Sequence, residues 1–249
     1  MNFGNPDLIN EVSDKIIFAL DVPGRKDAIR YVKMLDGLVG CFKVGLELFI
    51  SEGPKILQAV NENSSAGIFL DLKLHDIPAT VSGALQSANR HQVRFITVHG
   101  DTQDSFPKIQ GSHSGPEILA VTVLTSLAQK DLKGMGFGAD LTLERLALRR
   151  AEMARKAGCA GVVCSGGEVA AIKETCGSGF KVIVPGIRPA WTRVSGDDQA
   201  RIVTPQFATA AGADFIVVGR PIRDASNPQD AAKKIAEEIQ STWMAKNKG

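Results

Sequence analysis

Charged residues at the end of an apolar run form the most informative motif of this chain. Residues 71–80 read DLKLHDIPAT, and residues 67–72 are apolar apart from Asp71. Side chains alternate along a strand, so Asp71 and Lys73 share one face and the neighbouring leucines share the other. A lysine ammonium beside carboxylates could act as a general acid or stabilise developing negative charge. The alternative is a structural ion pair, because buried charges are tolerated when they are paired.

Two other charged residues belong to neighbouring apolar runs. Asp21 follows residues 16–20, and Lys43 lies within residues 41–45. Adjacent strands would place both beside the first motif, although either one alone could equally be a paired structural charge. Ions held by neighbours of opposite sign favour one another's charged forms. The sequence therefore predicts an alternating array of Lys43, Asp71, Lys73 and Asp76.

A candidate anion site follows the last apolar run. Residues 215–218 lead directly into Gly219 and Arg220. Barrel proteins commonly bind phosphate after their eighth strand, through backbone N–H groups that glycine leaves accessible and a cation nearby. A polar loop from Arg188 to Gln199 is long enough to act as a lid with further phosphate contacts. For both arginines the alternative is an ordinary exposed side chain.

The elements that must position these residues follow a regular pattern. Short apolar runs alternate with amphipathic stretches along the whole chain, which is typical of a parallel sheet covered by helices. The runs span residues 16–20, 41–45, 67–72, 94–98, 118–124, 161–164, 182–184 and 215–218. Because there are eight of them, we predict an α/β fold, a (β/α)₈ TIM barrel formed as a single domain by residues 1–249.

The amphipathic stretches between these runs predict helices. Their bounds are residues 27–35, 54–61, 80–90, 143–156, 167–174, 205–211 and 230–244. The last helix has the clearest start, with Asn227 as a candidate N-cap and Pro228 at the first helical position. Catalytic residues of such barrels lie where strands end and loops begin, which is where the charged motifs occur.

Composition and residue types exclude several classes of protein. The 249 residues include 29 Lys and Arg against 27 Asp and Glu, a net charge of +2 that does not predict a nucleic-acid partner. No leader or long apolar run is present, so we expect no membrane contact and a cytoplasmic location. The four cysteines stand singly, as buried reduced thiols do, and the four histidines lack metal-ligand spacing. No metal site is predicted.

Several motifs resemble the orotidine 5′-phosphate decarboxylase family over most of the chain. They are ALD at 19–21, FKVG at 42–45, DLKLHDIPAT at 71–80, VLTS at 123–126, PGIRP at 185–189, DQ at 198–199 and VGRP at 218–221. The resemblance implies a homodimer of (β/α)₈ barrels. It also implies the conversion of orotidine 5′-monophosphate (OMP) to UMP and CO₂ without a metal or cofactor.

The resemblance also implies a role for each matched residue. Lys73 would deliver a proton to pyrimidine C6, and Asp71 would lie beside the departing carboxylate. Asp76, Ile77 and Thr80 would reach into the site of the partner subunit. The remaining contacts would be Asp21, Lys43 and the partner's Thr80 with the ribose, Thr125 and Ser126 with the pyrimidine, and Arg188, Gln199, Gly219 and Arg220 with the phosphate.

Two loops depart from the family pattern. His99 is followed by GDTQD at 100–104, where the family usually has His-Ala and then Gly-Gly. The loop between Arg188 and Gln199 also differs in detail. Both departures leave the charged motifs intact.

Two rival functions remain open at this point. Sugar-phosphate decarboxylases or aldolases of the same barrel superfamily share the Asp-x-Lys-x-x-Asp strand end but use Mg²⁺ to stabilise an enediolate. They place a metal-binding carboxylate where this chain has Lys43, which favours the metal-free reaction. The chain could instead be a non-catalytic phosphate-binding barrel, although a mere binder has no need of buried alternating charges.

Overall fold

Eight parallel strands form a closed barrel in which each strand pairs with its neighbours in chain order. The computed structural model describes residues 11–99, 115–138, 140–192 and 201–246. The strands are β1 (Ile16–Ala19), β2 (Cys41–Gly45), β3 (Gly67–Leu74), β4 (Phe95–His99), β5 (Glu117–Val121), β6 (Gly161–Val163), β7 (Lys181–Val184) and β8 (Phe215–Val218). The predicted (β/α)₈ barrel is confirmed, with one strand for each apolar run.

Helices cover the outside of the barrel between the strands. They are α1 (Arg25–Leu35), α2 (Leu46–Glu52), α3 (Lys55–Asn61), α4 (Pro78–Asn89), α5 (Gln129–Gly134), α6 (Leu143–Lys156), α7 (Val169–Cys176), α8 (Pro205–Ala211), α9 (Arg220–Arg223) and α10 (Pro228–Lys246). The predicted bounds of α6 and α8 are confirmed. The sequence analysis missed α2, α5 and α9, which have seven, six and four residues and so little room for a helical period. Helix α8 is as short as α2, but Pro205 at its first position marks its start.

Because side chains alternate between the two faces of each strand, the barrel has an inner core and an outer core. Side chains of one strand face fill the barrel interior, namely Ile17, Ala19, Cys41, Phe69, Phe95, Leu119, Ile183, Phe215 and Val217. The ring of Phe95 packs edge-on against Phe69 at 6.0 Å and against Phe215 at 5.2 Å between ring centroids. The opposite strand faces, including Phe18 and Phe42, pack against the helices. This filled interior forms a floor for the carboxyl ends of the strands.

The C-terminal helix α10 begins as its sequence predicts. The side-chain oxygen of Asn227 accepts hydrogen bonds from the backbone N–H groups of Gln229 at 3.1 Å and Asp230 at 3.3 Å. These bonds satisfy N–H groups that have no partner within the helix, which is the function of an N-cap. Ile235 and Ile239 are buried on the inner face of α10. The predicted cap is confirmed, and the helix starts at Pro228.

The four cysteines are free and buried, as predicted. Burial raises the pKa of the Cys41 thiol to about 11 and that of the Cys159 thiol to about 12. Because thiolates are the reactive form, these side chains behave as apolar core groups. None of the helices within the described ranges has the length and apolar character that crossing a membrane requires.

Candidate active site

A cavity of about 530 Å³ opens at the carboxyl end of the barrel strands. Most of the predicted site residues line it, and they come from all parts of the chain. They are Asp21 after β1, Lys43 on β2, Asp71 and Lys73 on β3, Thr125 and Ser126 after β5, Arg188 after β7, and Gly219 and Arg220 after β8. The barrel therefore gathers residues about 200 positions apart in the sequence, as its closure requires.

Four charged side chains of one chain are joined in a continuous series. The ammonium nitrogen of Lys43 lies 2.9 Å from Asp21 Oδ1 and 3.9 Å from Asp71 Oδ2. The ammonium nitrogen of Lys73 lies 2.9 Å from the same Asp71 oxygen. Strand register explains the grouping, because β2 is hydrogen-bonded between β1 and β3. The attraction between neighbouring unlike charges holds each side chain in place.

The members of this series differ in their access to the cavity. The side chains of Lys43 and Asp71 are 12% and 13% exposed, whereas that of Lys73 is 31% exposed. Asp71 thus lies between two cations that both line the cavity, and Lys73 is the more exposed of the two. A positioned ammonium group in a partly enclosed site can transfer a proton or stabilise an anion as it forms.

The backbone at Lys73 has an unusual conformation. Its φ angle is +51°, in the left-handed region that residues other than glycine rarely adopt. The pairing of β3 with β4 is irregular between Leu70 and Leu74. The hydroxyl of Thr97 donates to Asp71 Oδ1 at 2.9 Å and accepts from the Lys73 backbone N–H at 2.8 Å. The sequence analysis missed Thr97, although a hydroxyl inside the apolar run FITVH was a usable signal.

The loop after β8 brings a glycine and an arginine to the cavity. A Cβ added to Gly219 would lie 3.5 Å from Ala19 Cβ and 3.7 Å from Asp21 Oδ2. Both distances are ordinary van der Waals contacts, and Gly219 itself lines the cavity. Arg220 begins the short helix α9 and lines the cavity.

Arg223 is a cavity residue that the sequence analysis did not identify. One guanidinium nitrogen donates to the backbone carbonyl of Asp21 at 2.8 Å. The other two bind the carboxylate of Asp224 at 2.6 Å and 3.0 Å. The hydrogen bonds to Asp224 raise the pKa of Arg223 and lower that of Asp224. Helix α9 is thereby tied to the end of β1.

The sequence analysis also missed an ion pair that contacts the segment directly before Thr125 and Ser126. Glu168 is buried, forms an ion pair with Arg201, and accepts a hydrogen bond from the backbone N–H of Ser165 at 2.9 Å. Arg201 also donates to the backbone carbonyls of Val123 and Leu124 at 3.2 Å each. Burial raises the pKa of the Glu168 carboxyl, and the charge of Arg201 opposes this increase. The pair joins the segments that follow β5 and β6.

The remaining predicted residues are not gathered in this cavity. Asp76, Ile77 and Thr80 follow β3, are exposed and do not line the cavity. Asp76 accepts a hydrogen bond from the Ile77 backbone N–H at 2.6 Å. Within one chain, the charged series therefore contains Asp21, whereas the sequence analysis predicted Asp76 as its fourth member. Gln199 and residues 100–104 lie outside the described residues.

Metal-ligand geometry is lacking in the part of the chain that the structure describes. No group of three or more His, Cys, Asp or Glu side chains there could hold a metal ion. The space between Asp21 and Asp71 is occupied by the ammonium group of Lys43. A cationic side chain of the protein thus stands between the two carboxylates of this cavity.

Comparison with known proteins agrees with this geometry. The family model for the "Orotidine 5'-phosphate decarboxylase / HUMPS family" matches residues 14–235. The chain belongs to this family. A family member named orotidine 5′-phosphate decarboxylase from Desulfosudis oleivorans is 45% identical over 232 residues, covering 91% of this chain and 93% of its own. Another with this name, from Gloeothece citriformis, is 40% identical and covers 92% of this chain and 98% of its own.

A solved structure of an orotidine 5′-phosphate decarboxylase extends the similarity to three dimensions. The crystal structure of that protein from Lactobacillus acidophilus superposes with a TM-score of 0.74 at 34% sequence identity. The superposition covers 90% of this chain and 98% of the other. The family resemblance stated from the motifs is therefore confirmed.

Proposed function

We propose that this chain decarboxylates OMP to UMP and CO₂, the last step of de novo UMP synthesis, by proton transfer from Lys73. The observation that carries the proposal is the position of this ammonium group. It lies 2.9 Å from Asp71 in a cavity that Arg220 also lines. Strand β3 is separated from β8 by β1 and β2 in the barrel. The site can therefore accept a ligand whose anionic group lies away from the reacting atom.

The chemistry requires a cation close to one carbon atom. When the bond between C6 and the carboxylate breaks, its electron pair stays on C6, and the pyrimidine ring cannot delocalise it well. The ammonium group of Lys73 stabilises this localised charge and then transfers a proton to C6. The new C–H bond completes UMP, and the neutral lysine regains a proton from solvent. Asp71 holds Lys73 in place and lies beside the departing carboxylate.

The other cavity residues bind the parts of OMP that do not react. Asp21 and Lys43 contact the ribose hydroxyls, and Thr125 and Ser126 contact the pyrimidine edge. The phosphate is bound by Arg188, Gln199, Gly219 and Arg220. Binding energy from the phosphate helps to close the loop between Arg188 and Gln199 and to exclude water from the site.

The reaction proceeds without a metal ion or organic cofactor. The support is the position of Lys43, whose ammonium group lies 2.9 Å from Asp21 and 3.9 Å from Asp71. A divalent cation between these carboxylates would have to displace this side chain against like-charge repulsion. The protein's own amine thus supplies the positive charge that a Mg²⁺ ion supplies in the rival enediolate reaction.

The proposed function is tested by the absorbance change that accompanies the conversion of OMP to UMP. We expect full activity without added metal and in the presence of excess EDTA. Activity that is lost with EDTA and restored by Mg²⁺ would support the metal-dependent rival instead. Absence of OMP turnover, with phosphate-dependent binding retained, would support the non-catalytic barrel.

Asp76, Ile77 and Thr80 complete the site of the partner subunit in a homodimer. Ile77 is 66% exposed, and Leu46 and Ile50 on α2 are 54% and 78% exposed. Large apolar side chains exposed near a site are typical of a protein interface. Because Asp76 does not line the cavity of its own chain, its carboxylate is available to a neighbouring one.

Hybrid dimers test whether one active site combines Lys73 of one chain with Asp76 of the other. When Lys73→Ala and Asp76→Ala chains are co-expressed at equal levels, half of the dimers are hybrids with one site that has both native residues. We expect about a quarter of the wild-type activity, far above that of either variant alone. A mixture of Lys73→Ala with Asp71→Ala is the matched control, because no hybrid then has a native site. Recovery in neither mixture would place Lys73 and Asp76 in the same chain.

The proposed cellular location and binding partners are those expected for an enzyme with a small-molecule substrate. We propose that the whole chain belongs to one barrel domain that acts in the cytoplasm, with no nucleic-acid or membrane partner. Four buried free thiols suit a reducing compartment. The net charge of +2 provides no strong field for a polyanion.

A further inference from the structure

We infer that Thr97 is a positioning residue for the decarboxylation, because its hydroxyl fixes both the carboxylate of Asp71 and the backbone of Lys73. The inference rests on the proposed function, since it concerns the placement of the proposed acid. Thr97 is fully buried on β4 and does not line the cavity. It therefore acts on the substrate only through its two hydrogen-bond partners.

The register of β3 and β4 shows why a hydroxyl is needed at this point. Leu70 pairs with Ile96 and Leu74 pairs with Val98, so β3 advances four residues where β4 advances two. Residues 71–73 bulge from the ladder, and Thr97 is the residue of β4 that lies opposite them. A bulge leaves backbone groups unpaired and re-aims the side chains that it carries. The side chain of Thr97 replaces the missing ladder bond by accepting from the Lys73 N–H at 2.8 Å.

This bond restrains an unfavourable backbone conformation. Lys73 has a φ angle of +51°, which costs free energy in any residue with a Cβ atom. Without the hydroxyl, the Lys73 N–H would lose this partner and the bulge could relax towards an ordinary φ angle. The ammonium group would then move, because the direction of the side chain depends on the backbone angles of its residue.

Thr97 and the two lysines contact different oxygens of the Asp71 carboxylate. Oδ2 lies 2.9 Å from the Lys73 ammonium and 3.9 Å from that of Lys43, while Oδ1 accepts the Thr97 hydroxyl at 2.9 Å. A carboxylate held at both oxygens cannot rotate, so its charge stays directed at the two lysines. One buried hydroxyl thus sets the position of the acid through its backbone and through its counter-ion.

The substitution Thr97→Val removes the hydroxyl while preserving shape and β-branching. Displacement of a reacting group by about 1 Å can cost about 100-fold in rate. We expect Thr97→Val and Thr97→Ala to lower kcat by about 10- to 100-fold while the KM for OMP changes less than about threefold. Thr97→Ser keeps a donor and an acceptor and should stay within about threefold of the wild-type kcat. UMP binding should be unchanged in all three.

Thr122→Val is the matched control. Thr122 is also a fully buried threonine, and its hydroxyl donates to the backbone carbonyl of Val163 at 3.1 Å, outside the charged series. We expect this variant to lose a similar amount of thermal stability and to keep its kcat. The inference is overturned if Thr97→Val keeps the kcat of the control, or if Thr97→Ser is as slow as Thr97→Val. Failure of the wild-type protein to turn over OMP would overturn the proposed function instead.

Discussion

The Lys73→Ala variant is expected to lose at least about 10⁴-fold in kcat/KM for OMP. The estimate combines two contributions that one ammonium group makes, because proton transfer by a positioned acid supplies about 10²- to 10⁴-fold and stabilisation of a developing anion about 10²- to 10³-fold. Water at neutral pH cannot replace an ammonium group held 2.9 Å from its counter-ion. The loss should fall on kcat, since the stabilised charge exists in the transition state and not in bound OMP.

The fold of this variant should be intact. Asp71 remains 3.9 Å from the ammonium group of Lys43 when Lys73 is removed, so its carboxylate keeps a cationic neighbour. The matched control is Lys181→Ala, which breaks an ion pair with Glu117 away from the cavity. Thermal melting and UMP binding measure integrity in both variants. A Lys73→Ala enzyme with more than a tenth of the wild-type kcat would remove this lysine from the role of acid.

The Arg220→Ala variant is expected to lose about 10²- to 10³-fold in kcat/KM for OMP, about 3–4 kcal/mol of transition-state stabilisation. Arg220 lines the cavity after β8, next to Gly219, which also lines it. A charge-assisted bond to the phosphate is lost, and with it the binding energy that closes the site. The fold should be unaffected, because the residue lies at the edge of the cavity and outside the cores.

Orotidine, the substrate without its phosphate, separates this role from a general structural effect. Arg220→Ala should change kcat/KM for orotidine by less than about threefold, since the arginine has no phosphate to bind. Arg30→Ala removes an arginine from an exposed ion pair with Asp27 on α1 and serves as the control. Equal losses for OMP and orotidine would place the effect of Arg220 outside phosphate binding.

Local sequence patterns predicted much of the fold and of the site. Buried parallel strands read as apolar runs, so all eight strands were predicted. Helix α6 shows a helical period long enough to give its bounds, and Pro205 marks the start of the shorter α8. Charged residues at strand ends identified Lys43, Asp71 and Lys73, because a barrel collects strand ends at one opening. The loops after the last two apolar runs identified Arg188 and Arg220, which line the same cavity. The roles of these residues stay predictions that the variants test.

Interactions between distant segments could not be predicted in this way. Arg223 binds the Asp21 carbonyl across 202 residues, and Arg201 pairs with Glu168 across 33. Neither arginine has a local pattern that distinguishes it from an exposed one. The short helices α2, α5 and α9 depend on the loops in which they lie and not on a hydrophobic period of their own.

The sequence by itself determined which strands exist, which faces they bury and which charged residues stand at their carboxyl ends. These properties follow from side-chain type and alternation, which act between near neighbours. Only the tertiary structure decided that β3 bulges against β4, that Lys73 has a positive φ angle, and that Thr97 bridges it to Asp71. The reason is physical, because a bulge results from a mismatch between two strands whose register depends on closure of the whole barrel.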